Sequence, residues 1–345
     1  MHLLAIRFSA MGDVALTAPV IHSLLELNPS LQITLVSNKA YEPFFNRSER
    51  FHFHPASLKG KHKGPKGLFN LYKELNSTRY DTVVDLHNVL RSRILCTYFK
   101  SAGSRIIRFE KGRSDKRDLL NPSCDFKKLP HTTERYFWAF QALGLNIGMS
   151  DSPWKKTSNS DALTEFCLTN NLNQDDLLIG IAPYALHESK IWGDNKIDQL
   201  ITKIEQETRG KVLLFGGKDE ITELRKILHK HPGTTLVAGN LDLETELQLM
   251  SNLTVMVSMD SSNMHLMCIL GNRVVSIWGG THHFIGFGPL GNEDLIVEVP
   301  KDELPCRPCT IYGKTENKAQ LDCAKAAMNG IKVEMVFEKI QKAIL

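Results

Sequence analysis

Long apolar runs are missing from this 345-residue sequence. The longest, such as Leu177–Leu186 and Val274–Trp278, fall far short of the ~18–20 residues a membrane-spanning helix needs. The N-terminus does not read as a secretory signal, because Arg7 interrupts its short apolar run and Asp13 follows where a cleavage site belongs. A soluble cytoplasmic protein is expected. No Asp-x-Asp pair occurs, so a metal bridging a diphosphate has no visible ligand set. Cysteine is present but sparse. The seven cysteines are an odd number in a large chain without a signal, which argues against a disulfide framework. Cys306-x-x-Cys309 with Cys323 looks like a partial metal knuckle, but a structural zinc site wants four ligands and the second pair is missing. Asp322 or a distant histidine could complete it; a reduced structural cluster is the preferred reading, and no metal is expected.

What remains is ordinary globular composition, 42% hydrophobic and 23% charged, which excludes a disordered, collagen-like or coiled-coil chain. The length favours two domains. The net charge of +4 hides an asymmetry. Residues 1–160 carry 24 Lys and Arg against 13 Asp and Glu, and residues 161–345 carry 18 against 25, so the halves stand at +11 and −7. The basic half should meet an anionic partner.

The chain reads as strands alternating with helices. An apolar run at residues 3–8 breaks at Ser9-Ala10-Met11-Gly12-Asp13, a helical pattern follows, then a strand at Gln32–Val36 and a further helical stretch. Asp81–Leu86 is another strand-like run, closed by His87-Asn88. Residues 56–67 read as a flexible basic loop, 110–118 as a second, and 146–161 as a linker. The same grammar restarts at Leu177–Ala182 and runs through Lys211–Phe215, Thr234–Val237, Thr254–Ser258 and Arg273–Trp278. This pattern predicts an α/β fold of two Rossmann-like domains, 1–155 and 156–345, with parallel sheets facing a cleft. Ligands of such sheets sit outside the carboxyl ends of the strands. The candidate loops are therefore Ser9–Asp13, Lys190, Gly216–Glu220, Asp260–His265 and Gly279–Thr281.

Each candidate has a plain structural alternative. Asp13 could act as a general base or cap a helix. The hydroxyls and free N–H groups of Ser261, Ser262 and the following helix start suit a phosphate, or Asp260 or Ser261 is simply an N-cap. His265 could be a ligand contact or a satisfied structural histidine. Lys190 could neutralise a diphosphate or be a solvated surface lysine. Gly286-Phe-Gly-Pro-Leu-Gly291 matches a dinucleotide fingerprint in letters only, since it follows a His-His loop and contains Pro289.

Taken together, these blocks resemble the ADP-heptose:lipopolysaccharide heptosyltransferases of glycosyltransferase family 9. Arg7–Val14 with Thr17-Ala18-Pro19 is similar to the family's opening motif. Asp85-Leu86-His87 with Arg91-Ser92-Arg93, and Pro130-His131 with Glu134-Arg135-Tyr136, are similar to its acceptor-domain segments. Lys190-Ile191-Trp192, Gly216–Glu220, Ala238-Gly239-Asn240, Asp260–His265 and Trp278–Thr281 follow in order. The resemblance implies a GT-B fold and an inverting, metal-independent glycosyltransferase. It would need no cofactor and would move heptose or a related sugar from ADP-heptose or a similar nucleotide sugar to a lipopolysaccharide-core acceptor. Asp13 would be the base. Donor contacts would come from Lys190, Trp192, Gly217, Glu220, Asp260, Ser261, Ser262, Met264, His265, Gly279, Gly280 and Thr281. Acceptor contacts would come from Ser9, Met11, Gly12, His87, Arg91, Arg113 and Arg117, at the inner membrane surface. No nucleic-acid module is visible. The alternatives are a non-catalytic nucleotide- or glycolipid-binding relative, and a nucleotide-sugar epimerase or hydrolase on the same fold.

Overall fold

The computed structural model describes residues 1–46, 48–121, 123–150 and 159–345. It divides into two compact units, Met1–Gly112 with Pro130–Lys155, and Arg113–Leu129 with Lys156–Leu345. The expected boundary between 155 and 156, and half of the expected linker, fall on residues 151–158, outside the described residues. Segment Arg113–Leu129 departs from the expected layout. It packs with the second unit: Phe126 stacks on Phe284, Lys116 lies over the Phe287 ring, and Leu129 N–H donates to the Phe284 carbonyl.

The first unit carries a five-stranded sheet of β1 (His2–Ile6), β2 (Gln32–Asn38), β3 (Phe51–Ala56), β4 (Thr82–Asp85) and β5 (Arg105–Arg108). The order is β3-β2-β1-β4-β5 and every pairing is parallel. Strands covered on both faces need apolar residues at every position, and β1 supplies Leu3, Leu4, Ala5 and Ile6 without interruption, all buried. The helix Gly64–Leu75 packs Leu68, Leu71 and Leu75 into a core with Ile6, Val36, Val83 and Phe99.

The second unit has six parallel strands: β6 (Leu178–Ala182), β7 (Lys211–Leu214), β8 (Thr235–Leu236), β9 (Val255–Met259), β10 (Val274–Trp278) and β11 (Ile296–Glu298). Their order, β11-β10-β9-β6-β7-β8, repeats the doubly wound pattern. In each sheet the winding reverses between the unit's first and fourth strands, β1/β4 and β6/β9.

Three local readings need correction. The stretch after Val36 is not helical throughout; a 3-10 turn, Lys39–Phe44, leads into β3. The basic segment 56–67 is not a free loop. His62 is buried against Glu74, Lys61 pairs with Glu74 at 2.7 Å, and the helix begins at Gly64. The polar loop 110–118 contains the short helix Arg113–Asp118, on which Lys116 is buried beneath aromatic rings.

Candidate active-site residues

In the first unit the loops after β1 and β4 meet at the winding reversal. Asp13 is the third residue of the short helix Met11–Ala15, and Ala10 occupies the N-cap. Asp13 Oδ2 lies 3.4 Å from Ala10 N–H, too long for a firm cap, but 2.6 Å from Arg7 Nη2. Arg7 is buried, donates Nη1 to the Leu86 carbonyl at 2.7 Å and faces the Tyr136 ring. Tyr136 in turn donates its hydroxyl to the Asp13 carbonyl at 3.3 Å, and burial raises its phenol pKa. The carboxylate is thus gripped by one oxygen. Its other oxygen, Oδ1, has no hydrogen-bond partner among the described residues. Ser9 is exposed, Met11 half-buried and Gly12 buried within the same turn.

His87 follows β4. Asp85, wholly buried, accepts from His87 N–H, Asn88 N–H and the Ser92 hydroxyl, which fixes this loop. His87 packs edge-on against Phe8. Burial, helped by the fields of Arg7 and Lys111, holds its imidazole down at about 3, so it stays neutral. Arg91 is exposed one turn further on.

In the second unit, Lys190 follows β6 and Asp260 follows β9. Lys190 Nζ pairs with Asp260 Oδ2 at 2.7 Å and also donates to its carbonyl at 3.3 Å. The Thr281 hydroxyl, from the loop after β10, donates to the same carboxylate oxygen at 2.7 Å. The ion pair is nearly buried, with side-chain exposures of 14% and 10%. Asp260 is therefore a brace for Lys190 and Thr281 rather than a helix cap. The cap position of helix Ser262–Ile269 belongs to Ser261, whose hydroxyl turns to Ser258 instead of the helix N–H groups. The first turn is left with no side-chain cap, beside a lysine, on three adjacent post-strand loops.

The chain belongs to glycosyltransferase family 9, the heptosyltransferases. Residues 68–319 match the family described as "Glycosyltransferase family 9 (heptosyltransferase)". A lipopolysaccharide core heptosyltransferase of Haemophilus influenzae is 21% identical over 98% of this chain and 95% of its own. Among solved structures, a family 9 glycosyltransferase from Veillonella parvula aligns with a TM-score of 0.78 at 17% identity, covering 99% of this chain and 97% of that one. The Escherichia coli ADP-heptose heptosyltransferase II aligns at 0.69 and 20% identity, covering 100% and 98%. The fold is that of the GT-B glycosyltransferases.

Within this glycosyltransferase several expected site residues are packed against other parts of the protein. Trp192 is a core residue, 3% exposed, with its indole N–H on the Ile331 carbonyl. Met264 is wholly buried, and His265 is buried edge-on to Phe287. Glu220 accepts from Gly217 N–H at 2.7 Å and so closes the turn after β7 on itself. Gly279 and Gly280 are glycines for packing reasons: a Cβ on the first would meet Met328 at 2.6 Å, and on the second Ala324 at 2.8 Å. Arg113 and Arg117 are exposed but pack with the second unit, so they do not share a unit with His87 and Arg91 as expected.

One group in the glycosyltransferase went unread. Arg307, fully buried, donates to the carbonyls of Trp278, Gly279, Thr281 and Val299 and to Glu298. It holds the loop that carries Thr281. His282 and His283 both approach the same Glu298 oxygen at 3.4 Å. Burial works against the Glu298 charge, but the His283 hydrogen bond and the surrounding cationic groups outweigh it and hold its carboxyl down at about 2. Burial holds His282 at about 3 despite the attraction of Glu298. The cysteine reading is also corrected. Cys306 and Cys323, with Cα atoms 6.5 Å apart, form a disulfide, while Cys309 remains a buried thiol.

Proposed function

We propose that this protein is an inverting heptosyltransferase that needs no catalytic metal, taking ADP-heptose or a close analogue as donor and an anionic lipopolysaccharide-core glycolipid as acceptor. The observation that carries the reading is the placement of Asp13 at one winding reversal and of Lys190, Asp260 and Thr281 at the other. The relatives' names supply the sugar and the acceptor class.

The acceptor hydroxyl oxygen attacks the anomeric carbon as the bond from that carbon to the diphosphate oxygen breaks. Asp13 Oδ1 takes the hydroxyl proton, while Arg7 on Oδ2 and Tyr136 on the Asp13 backbone hold the carboxylate in one orientation. The leaving diphosphate takes the bonding electrons. Lys190 and the uncapped N–H groups at Ser262 neutralise it, in place of the cation an Asp-x-Asp enzyme would use.

The acceptor is gathered by basic residues. Lys59, Lys61, Lys63 and Lys66 are exposed around the start of helix Gly64–Leu75, which also exposes Phe69. An aromatic ring among lysines suits the headgroup region of an anionic membrane. The inner-membrane surface, where such an acceptor resides, is the proposed place of work. The deciding experiment incubates the protein with a panel of nucleotide sugars and core glycolipids and detects products by mass spectrometry. A mass increment of one heptose from ADP-heptose is expected; transfer of a different sugar, or hydrolysis without transfer, overturns the assignment.

A further inference from the structure

Tyr312 holds a large ring out at the surface of the second unit, 51% exposed. The backbone beneath it is fixed. Thr310 N–H donates to the Gly280 carbonyl at 3.0 Å, Gly313 N–H to the Thr310 hydroxyl at 2.6 Å, and the Ser189 hydroxyl to the Gly313 carbonyl. Gly313 has φ +97°, and a Cβ there would come within 2.5 Å of Lys190 Cε and 3.0 Å of the His187 ring. The residue after Tyr312 therefore lies against the stem of Lys190. The ring is seated as well. It meets Phe287 edge-on at 6.3 Å, and the buried Lys116 ammonium lies 5.6 Å from its centroid and 4.3 Å from that of Phe287.

A nucleotide sugar is linear, with its diphosphate between a nucleoside and a sugar. With the diphosphate on Lys190 and the uncapped start of helix Ser262–Ile269, at the β6/β9 reversal, the two ends run to opposite sides along the carboxyl edge of the sheet. On the β7 side two successive glycines, Gly216 and Gly217, leave bare backbone against which a flat base and its ribose can lie. On the β10 side stand the loop of Thr281 and Tyr312, which Thr310 ties to Gly280. The sugar end belongs on this side. Carbon-bound hydrogens of a sugar ring, made positive by the oxygens beside them, are drawn to the negative face of an aromatic ring. A ring held in place beforehand loses little freedom when a ligand settles on it.

We propose that Tyr312 is a specificity-determining residue of the donor site: its ring is the surface on which the sugar of the nucleotide-sugar donor stacks. Phe287 and Lys116 are its supports. On the reading that this unit holds an ADP-sugar, on which the assignment of Tyr312 rests, the ring adds a contact that ADP alone does not make.

The test measures binding of ADP, ADP-glucose and ADP-heptose to the full chain by isothermal titration, without acceptor. Tyr312→Ala should weaken an ADP-sugar by roughly 2–12-fold, the worth of one aromatic contact, and leave ADP unchanged. Tyr312→Phe should keep wild-type affinity for the sugar, since the face of the ring and not its hydroxyl is used. In the wild type, saturation of the aromatic protons should transfer to the sugar protons of the bound ADP-sugar, and Tyr312→Ala should reduce that transfer. Unchanged binding of every ADP-sugar by Tyr312→Ala would overturn the proposal. So would an equal loss for ADP, which would put the nucleobase on the ring. A loss confined to ADP-glucose would overturn the heptose assignment and uphold the stacking, so the two readings fail separately.

Discussion

Arg7 holds one oxygen of Asp13 at 2.6 Å while the other oxygen stays open. The guanidinium is buried and anchored on the Leu86 carbonyl, so it cannot follow the carboxylate if Asp13 moves. Asp13→Asn should lower transfer by about 10²–10⁴ while donor affinity changes only a few fold. Arg7→Met should lower kcat as well, with little effect on KM for the donor, because it removes orientation rather than the base. Isothermal titration with ADP beside steady-state kinetics reads both. Near-normal turnover by Asp13→Asn would move the base elsewhere.

Lys190→Ala should weaken ADP binding, since a charge-assisted contact is worth about 1.5–3 kcal/mol, roughly 10–150-fold. The loss should exceed that of Thr281→Val. Without the ammonium, the nearly buried Asp260 carboxylate would face the diphosphate unpaired. Transfer should proceed without added Mg²⁺ or Mn²⁺. Exposure to EDTA should leave the initial rate intact. Immediate inhibition by EDTA that Mg²⁺ or Mn²⁺ reverses would contradict metal-independent chemistry.

Acid should draw on the second unit's stability through His282 before Glu298 takes up a proton. His282 is neutral in the fold down to about pH 3, but in the unfolded chain it takes a proton near 6.5. Between those values the unfolded state binds the extra proton, so stability falls as pH falls, by on the order of 1 kcal/mol per pH unit. Glu298 adds a further loss only below its unfolded value of 4.5, toward about 2. His87 acts in the same direction in the first unit, less strongly because it is more exposed. Burial pushes the Glu246 carboxyl up to about 7, which works the opposite way over the same range, so the readout is a difference. In thermal melts from pH 7.5 to 5.5 the wild type should lose stability relative to His282→Asn as pH falls; a constant difference would refute the argument.

Neutralising Lys59, Lys61, Lys63 and Lys66 together should raise KM for a liposome-embedded acceptor and weaken its salt dependence, with ADP binding unchanged. Each basic residue near an anionic leaflet contributes about 1 kcal/mol, fading within a Debye length. Lys61 should matter least, since Glu74 already holds it. A short soluble acceptor is the control. Equal kinetics on liposomes at low and high salt would remove the membrane role.

The central strands were legible because burial on both faces demands uninterrupted apolar runs, as in β1, β6, β9 and β10. The strands that went unrecognised are edges. β3 is broken by His52, His54 and Pro55, β5 begins and ends with arginine, and β11 has three residues. Asp13, Lys190 and Asp260 could be placed because strand-loop-helix grammar puts residues at a sheet's carboxyl edge. It does not say which way a side chain turns, so the burial of Trp192 and Met264 in those loops could not be read from it. Arg307 had no local signature. Its role comes from backbone carbonyls of Trp278, Gly279 and Thr281, far away in sequence.

The membership of Arg113–Leu129 in the second unit bears on how the protein is made. This segment leaves the ribosome long before Phe284 and Phe287, against which it packs. At about 5–20 residues per second, the roughly 150 residues separating Leu129 from Phe284 take on the order of ten seconds to emerge. During that interval Leu119, Phe126 and Leu129 lack their final apolar neighbours, while the first sheet already has every strand it needs. Birth order and folding order therefore differ in this chain. A stop codon placed after Ser150 would release a polypeptide with an unsatisfied hydrophobic strap, a natural target for chaperones and proteases.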